Sequence, residues 1–60
     1  MKHSEHAYFE AGYKYERGTM SMHQLQALIE GEAIDERADA RYLVERGRQE
    51  ARQSTIQGKP

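Results

Sequence analysis

The chain has 60 residues, and its 10 acidic and 9 basic side chains give a formal net charge of −1. A single domain of this size, residues 1–60, buries only about 60% of its unfolded surface and usually needs disulfides, a metal or oligomerisation for stability. The absence of cysteine excludes disulfides and thiolate zinc sites, so self-association is the expected support.

The sequence predicts neither a membrane span nor a signal peptide. No run approaches the roughly 20 apolar residues that a spanning helix needs, and the opening MKHSEHAYFE lacks the apolar core of a signal peptide. The absence of cysteine fits a reducing compartment, and we expect a cytoplasmic protein. The near-zero net charge gives no general attraction to nucleic acid or to anionic membranes.

The composition predicts an all-α fold, because good helix formers dominate the second half and β-branched residues are sparse. The first helix is predicted over about residues 5–17. Ser4 can cap its N-terminus, and Glu5 suits the positive end of the helix dipole. Gly18 can end the helix as the left-handed residue that follows Arg17.

The second helix has the sharpest start signal. Ser21 and Gln24 have the spacing of a capping box, and Met20 and Leu25 occupy the two positions of a hydrophobic staple. The connection from the first helix is short, which favours an antiparallel helical hairpin.

The helical pattern continues from Met22 to about residue 53, and the tail over residues 54–60 is predicted to fray. Two interpretations of Gly31 remain open. One long helix can bend there, or Gly31 can end a short second helix before a third begins. The first is favoured, since packing can absorb the roughly 1 kcal/mol that a helical glycine costs. The apolar stripe on this segment consists of Met22, Leu25, Leu28, Ile29, Ala33, Ala40, Leu43, Val44, Gly47 and Ala51.

Aromatic residues crowd two sides of the first helix. Tyr8 and Tyr15 share one face, whereas Phe9 and Tyr13 lie nearly opposite. The second helix can cover one side, so the other is predicted to contact a second copy in a homodimer; the alternative is that Tyr8 or Tyr13 is a half-exposed surface residue. The candidate interface residues are Tyr8, Phe9, Ala11, Tyr13, Tyr15, Leu25, Leu28, Ile29, Leu43 and Val44.

Charge is segregated along the second half of the chain. Segment 30–39 has five acids and one arginine, whereas segment 40–52 has four arginines and two glutamates. These charges can form a solvated face, pair with an antiparallel copy that crosses near Ala40, or provide an arginine patch for nucleic acid. The candidate partner surface consists of Glu32, Asp35, Glu36, Asp39, Arg41, Arg48 and Arg52.

No motif indicates catalysis or a cofactor. His3, His6 and Glu10 have a spacing that can place ligands together, but a third strong ligand is missing, and we predict no metal site. No GxGxxG, P-loop or HExxH motif is present, and we predict no enzyme, no catalytic residue and no cofactor-binding residue. A helix-turn-helix DNA reader is disfavoured because the second helix has no arginine or lysine before Arg37.

The stretch HAYFEAGYKYERG, residues 6–18, resembles the short accessory proteins encoded in the early region of lambda-like temperate bacteriophages, as do the small size and the lack of cysteine. The resemblance covers this stretch and the general format of the chain. It implies a protein of the host cytoplasm that tunes phage development or host replication by binding a host or phage protein. It implies no catalytic residue.

These observations together predict an all-α helical hairpin, with a helix at about 5–17 and a long bent or broken helix at about 22–53, that associates as a dimeric helical bundle. The expected function is that of a small non-enzymatic regulatory protein that binds itself and an unidentified host or phage protein. The alternative is a nucleic-acid-binding regulator that uses the arginine stripe of the C-terminal helix.

Overall fold

The computed structural model describes residues 3–57, with side chains described up to residue 54. This part of the chain is all-α and contains three helices: α1 over Glu5–Glu16, α2 over Met22–Glu30 and α3 over Ile34–Gln57. The predicted fold class is therefore confirmed at the level of helices. The division of the second half into two helices differs from the interpretation that the sequence favoured.

Both ends of α1 carry the predicted caps. The Ser4 hydroxyl accepts the Ala7 amide at 3.1 Å. At the other end Gly18 has φ +86, and the amide of Thr19 donates to the Lys14 carbonyl at 2.8 Å. Together with the bond from the Gly18 amide to the Tyr15 carbonyl, at 3.1 Å, this is a Schellman motif, which ends the helix where the sequence predicts.

The capping box that starts α2 is confirmed. The Gln24 amide donates to the Ser21 hydroxyl and the Ser21 amide donates to the Gln24 side-chain oxygen, each at 3.1 Å. Met20 packs against the core cluster that contains Leu25, as the staple requires. The local sequence therefore fixes the turn between α1 and α2.

The prediction of one long bent helix is wrong, and the alternative with a third helix is confirmed. α2 ends at Glu30 with Gly31 as its C-cap in helical geometry, and α3 begins at Ile34. Arg37 stabilises this turn, because its Nε donates to the Glu32 carbonyl at 3.1 Å and its Nη2 to the Glu30 carbonyl at 3.0 Å. A side chain from α3 thus satisfies carbonyl groups that a continuous helix would have paired internally.

At its other end α3 extends further than the sequence predicts. Residues 54–57 are helical rather than frayed. The local sequence allows this, since no glycine or proline lies between Gly47 and Gly58. The rest of the predicted tail, residues 58–60, lies outside the described residues.

The helices run up, down and up, so α1 and α3 are parallel neighbours and α2 is antiparallel to both. The Tyr8 hydroxyl of α1 lies 3.3 Å from the Leu28 carbonyl oxygen near the end of α2. Glu16, at the end of α1, contacts Arg48 in the second half of α3. The molecule is consequently elongated, with principal extents of 42 × 18 × 14 Å.

The closest approach in the fold is between α1 and α3. A Cβ atom on Gly12 would overlap the Val44 carbonyl, and one on Gly47 would overlap the Phe9 carbonyl. The two backbones therefore touch at this crossing, and only glycine fits at either position. The surrounding core consists of Tyr8, Ala11, Leu25, Ile29, Ala40 and Val44, with Tyr15, Met20, Leu28 and Leu43 packed against it.

This packing corrects the reason given above for a second chain. The other side of α1, which holds Phe9 and Tyr13, packs beside α3 of the same chain, and both side chains are half-buried. Most of the candidate interface residues belong to this core or pack against it: Tyr8, Ala11, Tyr15, Leu25, Leu28, Ile29, Leu43 and Val44. Ala40, near which the sequence placed the crossing of two copies, is fully buried within its own chain.

Candidate protein-binding surface

The most buried polar contact joins α1 to the turn between α2 and α3. The Tyr8 side chain is fully buried and its hydroxyl donates to the carboxylate of Glu32, which is only 3% exposed. The same carboxylate accepts the His3 amide at 3.3 Å, and the His3 ring meets the Tyr8 ring edge-on at 5.8 Å between centroids. Burial, followed by the Glu32 hydrogen bond, raises the pKa of Tyr8 well above its ordinary value.

This contact changes the role of Glu32. The sequence placed Glu32 on a charged partner surface, but the structure places it inside the fold, where it accepts bonds from two separate segments. A buried carboxylate with such donors stabilises the turn and is not exposed for contact with a binding partner. No polar pattern in the sequence indicates that Tyr8 is its donor.

Two of the predicted partner-surface arginines pair within the chain. Glu16, at the end of α1, accepts Arg48 Nε at 2.9 Å and Arg52 Nη1 at 3.2 Å. Arg52 also contacts Glu45 at 3.1 Å, and the Arg48 guanidinium lies 5.1 Å from the Tyr15 ring centroid. The hydrogen bond from Arg48 and the charge of Arg52 hold the pKa of Glu16 below its ordinary value.

The remaining members of the predicted charged surface do not form one patch. Asp35, Asp39 and Arg41 are exposed, and Glu36 is half-buried. Arg41 lies on the α2 side of α3, where it lines a groove with Gln26 and Ile29. Asp39 instead lines a depression beside Glu5 of α1. The structure thus divides this set between the interior, an internal ion-pair cluster and two separate surfaces.

The histidines and Glu10 do not form a metal site within residues 3–57, where no group of three potential ligands comes together. His3 and His6 are exposed. Glu10 contacts Lys14 one turn along α1, with 3.6 Å between Oε2 and Nζ.

One side of the α1–α3 pair faces away from α2, and we call it the aromatic face. From α1 it contains Phe9 and Tyr13, whose backbones touch Gly47 at the helix crossing. From α3 it contains Leu43 and, at its edge, Tyr42, which is 60% exposed. No described helix covers this side, because α2 packs across the opposite side, near Tyr15, Val44 and Arg48.

Two arginines extend the aromatic face. The Arg17 guanidinium lies 5.6 Å from the Tyr13 ring centroid, and that of Arg46 lies 6.0 Å from the Tyr42 ring centroid. Arg46 Nη1 also donates to the Tyr42 hydroxyl at 3.1 Å. Hydrogen bonds with Ser54 and Arg17 lower the pKa of Tyr13. Tyr42, Arg17 and Arg46 are not among the residues predicted from the sequence, although both tyrosine–arginine pairs have the four-residue spacing that brings side chains together on a helix.

Comparison with known proteins gives no relative. No family model, no curated protein and no solved structure matches the chain. None of the helices within residues 3–57 has both the length and the apolar character needed to cross a bilayer. The surface geometry is therefore the basis for any assignment of function.

Proposed function

We propose that this protein is a small non-enzymatic interaction module that binds protein through the aromatic face. The observation that carries the proposal is the side of the α1–α3 pair that α2 leaves uncovered, with its two tyrosine–arginine pairs. Tyrosine and arginine are enriched at binding hot spots, and an aromatic ring buries a large area at low entropic cost.

The arrangement suits binding more than catalysis. The most buried polar contact, between Tyr8 and Glu32, is enclosed by the helices, and within residues 3–57 no three potential metal ligands come together. The aromatic face instead has half-buried apolar groups in the middle and charged groups around them. Protein interfaces have this distribution of an apolar centre and a polar rim.

The predicted homodimer and the predicted host or phage partner are both occupants of this one surface. The resemblance of residues 6–18 to phage accessory proteins supports a regulatory role in the cytoplasm of a bacterial host. Phe9 and Tyr13, within that stretch, are also part of the aromatic face.

The nucleic-acid alternative has less support. Arg48 and Arg52, which would be its main contacts, already bind Glu16 and Glu45. A phosphate would have to compete with these carboxylates, and binding to phosphates requires an excess of positive charge. Fluorescence anisotropy with a generic DNA duplex at low salt tests this alternative. Binding that is lost in the Arg41→Ala, Arg48→Ala and Arg52→Ala triple variant would favour it over protein binding.

The test of the proposal uses a face variant, Tyr42→Ser with Arg46→Ser, and a matched control, His23→Ser with Glu30→Ser, at exposed positions of α2. Sedimentation velocity measures self-association of each, and quantitative mass spectrometry measures the proteins that each retains from a bacterial extract. Circular dichroism verifies that both remain helical. We expect the face variant to lose an association that the wild type and control keep. If the wild type and the face variant behave alike in both measurements, the proposal fails.

A further inference from the structure

We propose that the occupant of the aromatic face is a second copy of the chain in antiparallel orientation. This inference rests on the proposed function and specifies its partner. It follows from the distribution of charge along the face, which the parallel arrangement of α1 and α3 creates.

Along α1, the two ends of the aromatic face carry opposite charges. At the end where α1 and α3 begin, Glu5 and Asp39 line one depression together with Tyr42 and Leu43. Both acids are exposed, and neither forms an ion pair within the described residues. At the end where α1 finishes, Arg17 is exposed. Within the described residues its guanidinium makes one hydrogen bond, to the Tyr13 hydroxyl at 3.4 Å.

A two-fold axis through the middle of the face would bring these ends together. Glu5 and Arg17 are separated by about 18 Å along α1 at a rise of about 1.5 Å per residue. Their midpoint lies beside Gly12, at the crossing with α3. An axis perpendicular to the helices at this point places Glu5 of each copy against Arg17 of the other.

The same axis provides a partner for the second arginine. The Arg46 guanidinium reaches back one turn to the Tyr42 hydroxyl, while Glu50 lies one turn further along α3, close to Tyr13. The midpoint between the guanidinium and Glu50 is close to Gly47, which packs against the backbone of Phe9 and Tyr13 at the crossing. The two charge pairs on α1 and α3 therefore share one axis.

A parallel copy would meet the opposite situation. About an axis along the helices, α1 of one copy would lie against α3 of the other. Glu5 of each copy would then face Asp39 of the other, and like charges at close range repel. The helix dipoles also favour the antiparallel copy. Because α1 and α3 begin at the same end, an antiparallel copy places the positive ends of their dipoles beside the negative ends of its own. Exposed ion pairs add little affinity, so the aromatic side chains supply the contact and the charges select its orientation.

The chain contains no cysteine, which allows single-cysteine crosslinking of the whole protein. Glu5→Cys and isotope-labelled Arg17→Cys copies are mixed in equal amounts at a concentration where sedimentation shows dimer, and are treated with a short bis-maleimide. Mass spectrometry then measures mixed and like-with-like links. We expect mixed links to exceed links between two Glu5→Cys copies several-fold. His23→Cys, on α2, is the control and should link weakly.

The outcomes separate this inference from the proposed function. Links mainly between Glu5→Cys copies, or equally strong links through His23→Cys, would overturn the antiparallel orientation. A chain that stays monomeric would overturn the second copy as partner, whereas the proposed function would stand if the face variant still lost a bacterial protein. A second variant, Glu5→Gln with Asp39→Asn, measures orientation without crosslinking. It should weaken self-association of an antiparallel dimer, and tighter association would contradict the inference.

Discussion

Among the acidic residues of the described chain, Glu32 alone is buried, and its hydrogen bond from Tyr8 explains how the fold accommodates it. A buried carboxylate is costly unless donors replace the water that it has lost. Tyr8 supplies such a donor from α1, and the His3 amide supplies another from the segment that precedes α1. This one contact connects both segments to the turn at which α3 begins.

We predict that Tyr8→Phe destabilises the fold by about 1–3 kcal/mol, because the ring is kept while the buried Glu32 carboxylate loses a donor. Urea unfolding monitored by circular dichroism measures this change. The matched control is Tyr42→Phe, which removes a hydroxyl from an exposed ring and should change stability by less than about 0.5 kcal/mol. Equal effects of the two substitutions would contradict the role assigned to Tyr8.

Only one member of the Tyr8–Glu32 pair could be placed from the sequence. The sequence indicates that Tyr8 is an aromatic side chain on a packed face, and Tyr8 is indeed in the core. The sequence does not indicate that Glu32 is buried against Tyr8, because the two residues are 24 positions apart and no local pattern connects them. Glu32 instead resembles its exposed acidic neighbours, since charged residues are seldom buried.

The helices are specified by signals of different range. The starts of α1 and α2, and the end of α1, depend on hydrogen bonds between residues at most five positions apart, so their caps are readable in the sequence. The break at Gly31 depends on Arg37, which binds carbonyls up to seven positions away only after the chain has turned. Local propensity alone therefore favoured a continuous helix there.

The contact between α1 and α3 gives a prediction at the scale of helix packing. Gly47→Ala should destabilise the fold by about 3 kcal/mol or more, because the added methyl group meets the Phe9 backbone rather than a flexible side chain. The gain in helix propensity, about 1 kcal/mol, does not offset this. Thermal or urea unfolding measures the change.

Gly31→Ala is the control for that prediction. A Cβ atom at Gly31 would lie 3.4 Å from the Leu28 carbonyl oxygen, and φ is −69, which suits alanine. We expect no loss, or a gain of up to about 1 kcal/mol from the reduced entropy of the unfolded chain. If Gly47→Ala were as well tolerated as Gly31→Ala, the close packing of α1 and α3 would be refuted.

Over the whole molecule, charge is divided between internal pairs and the aromatic face. Glu16 connects the end of α1 to the second half of α3 through Arg48 and Arg52. The sequence placed these arginines on a partner surface, because their acid partner belongs to another helix. The predicted all-α class depends on composition and is confirmed. The aromatic first helix, which the sequence placed partly against a second chain, has Tyr8 and Ala11 in the core of its own chain.

This cluster gives a pH prediction. Because Arg48 lowers the pKa of Glu16 in the folded state, the carboxylate contributes stability above its ordinary pKa of 4.5. That contribution is lost as the pH falls through the lowered folded pKa. Urea unfolding of the wild type and of Glu16→Gln across this acid range should show a gap that closes as the pH falls. The exposed substitution Glu30→Gln is the control, and a gap that does not change with pH would contradict the prediction.

The parallel contact of α1 and α3 also governs when the chain can fold. Arg48 and Glu16, which meet in that contact, are 32 positions apart, and synthesis at about 5–20 residues per second separates them by about 2–6 seconds. During this interval α1 and α2 form at most a hairpin, with Tyr8 and Gly12 still lacking α3. A newly made chain therefore exposes the apolar side of α1 to chaperones and proteases until α3 emerges.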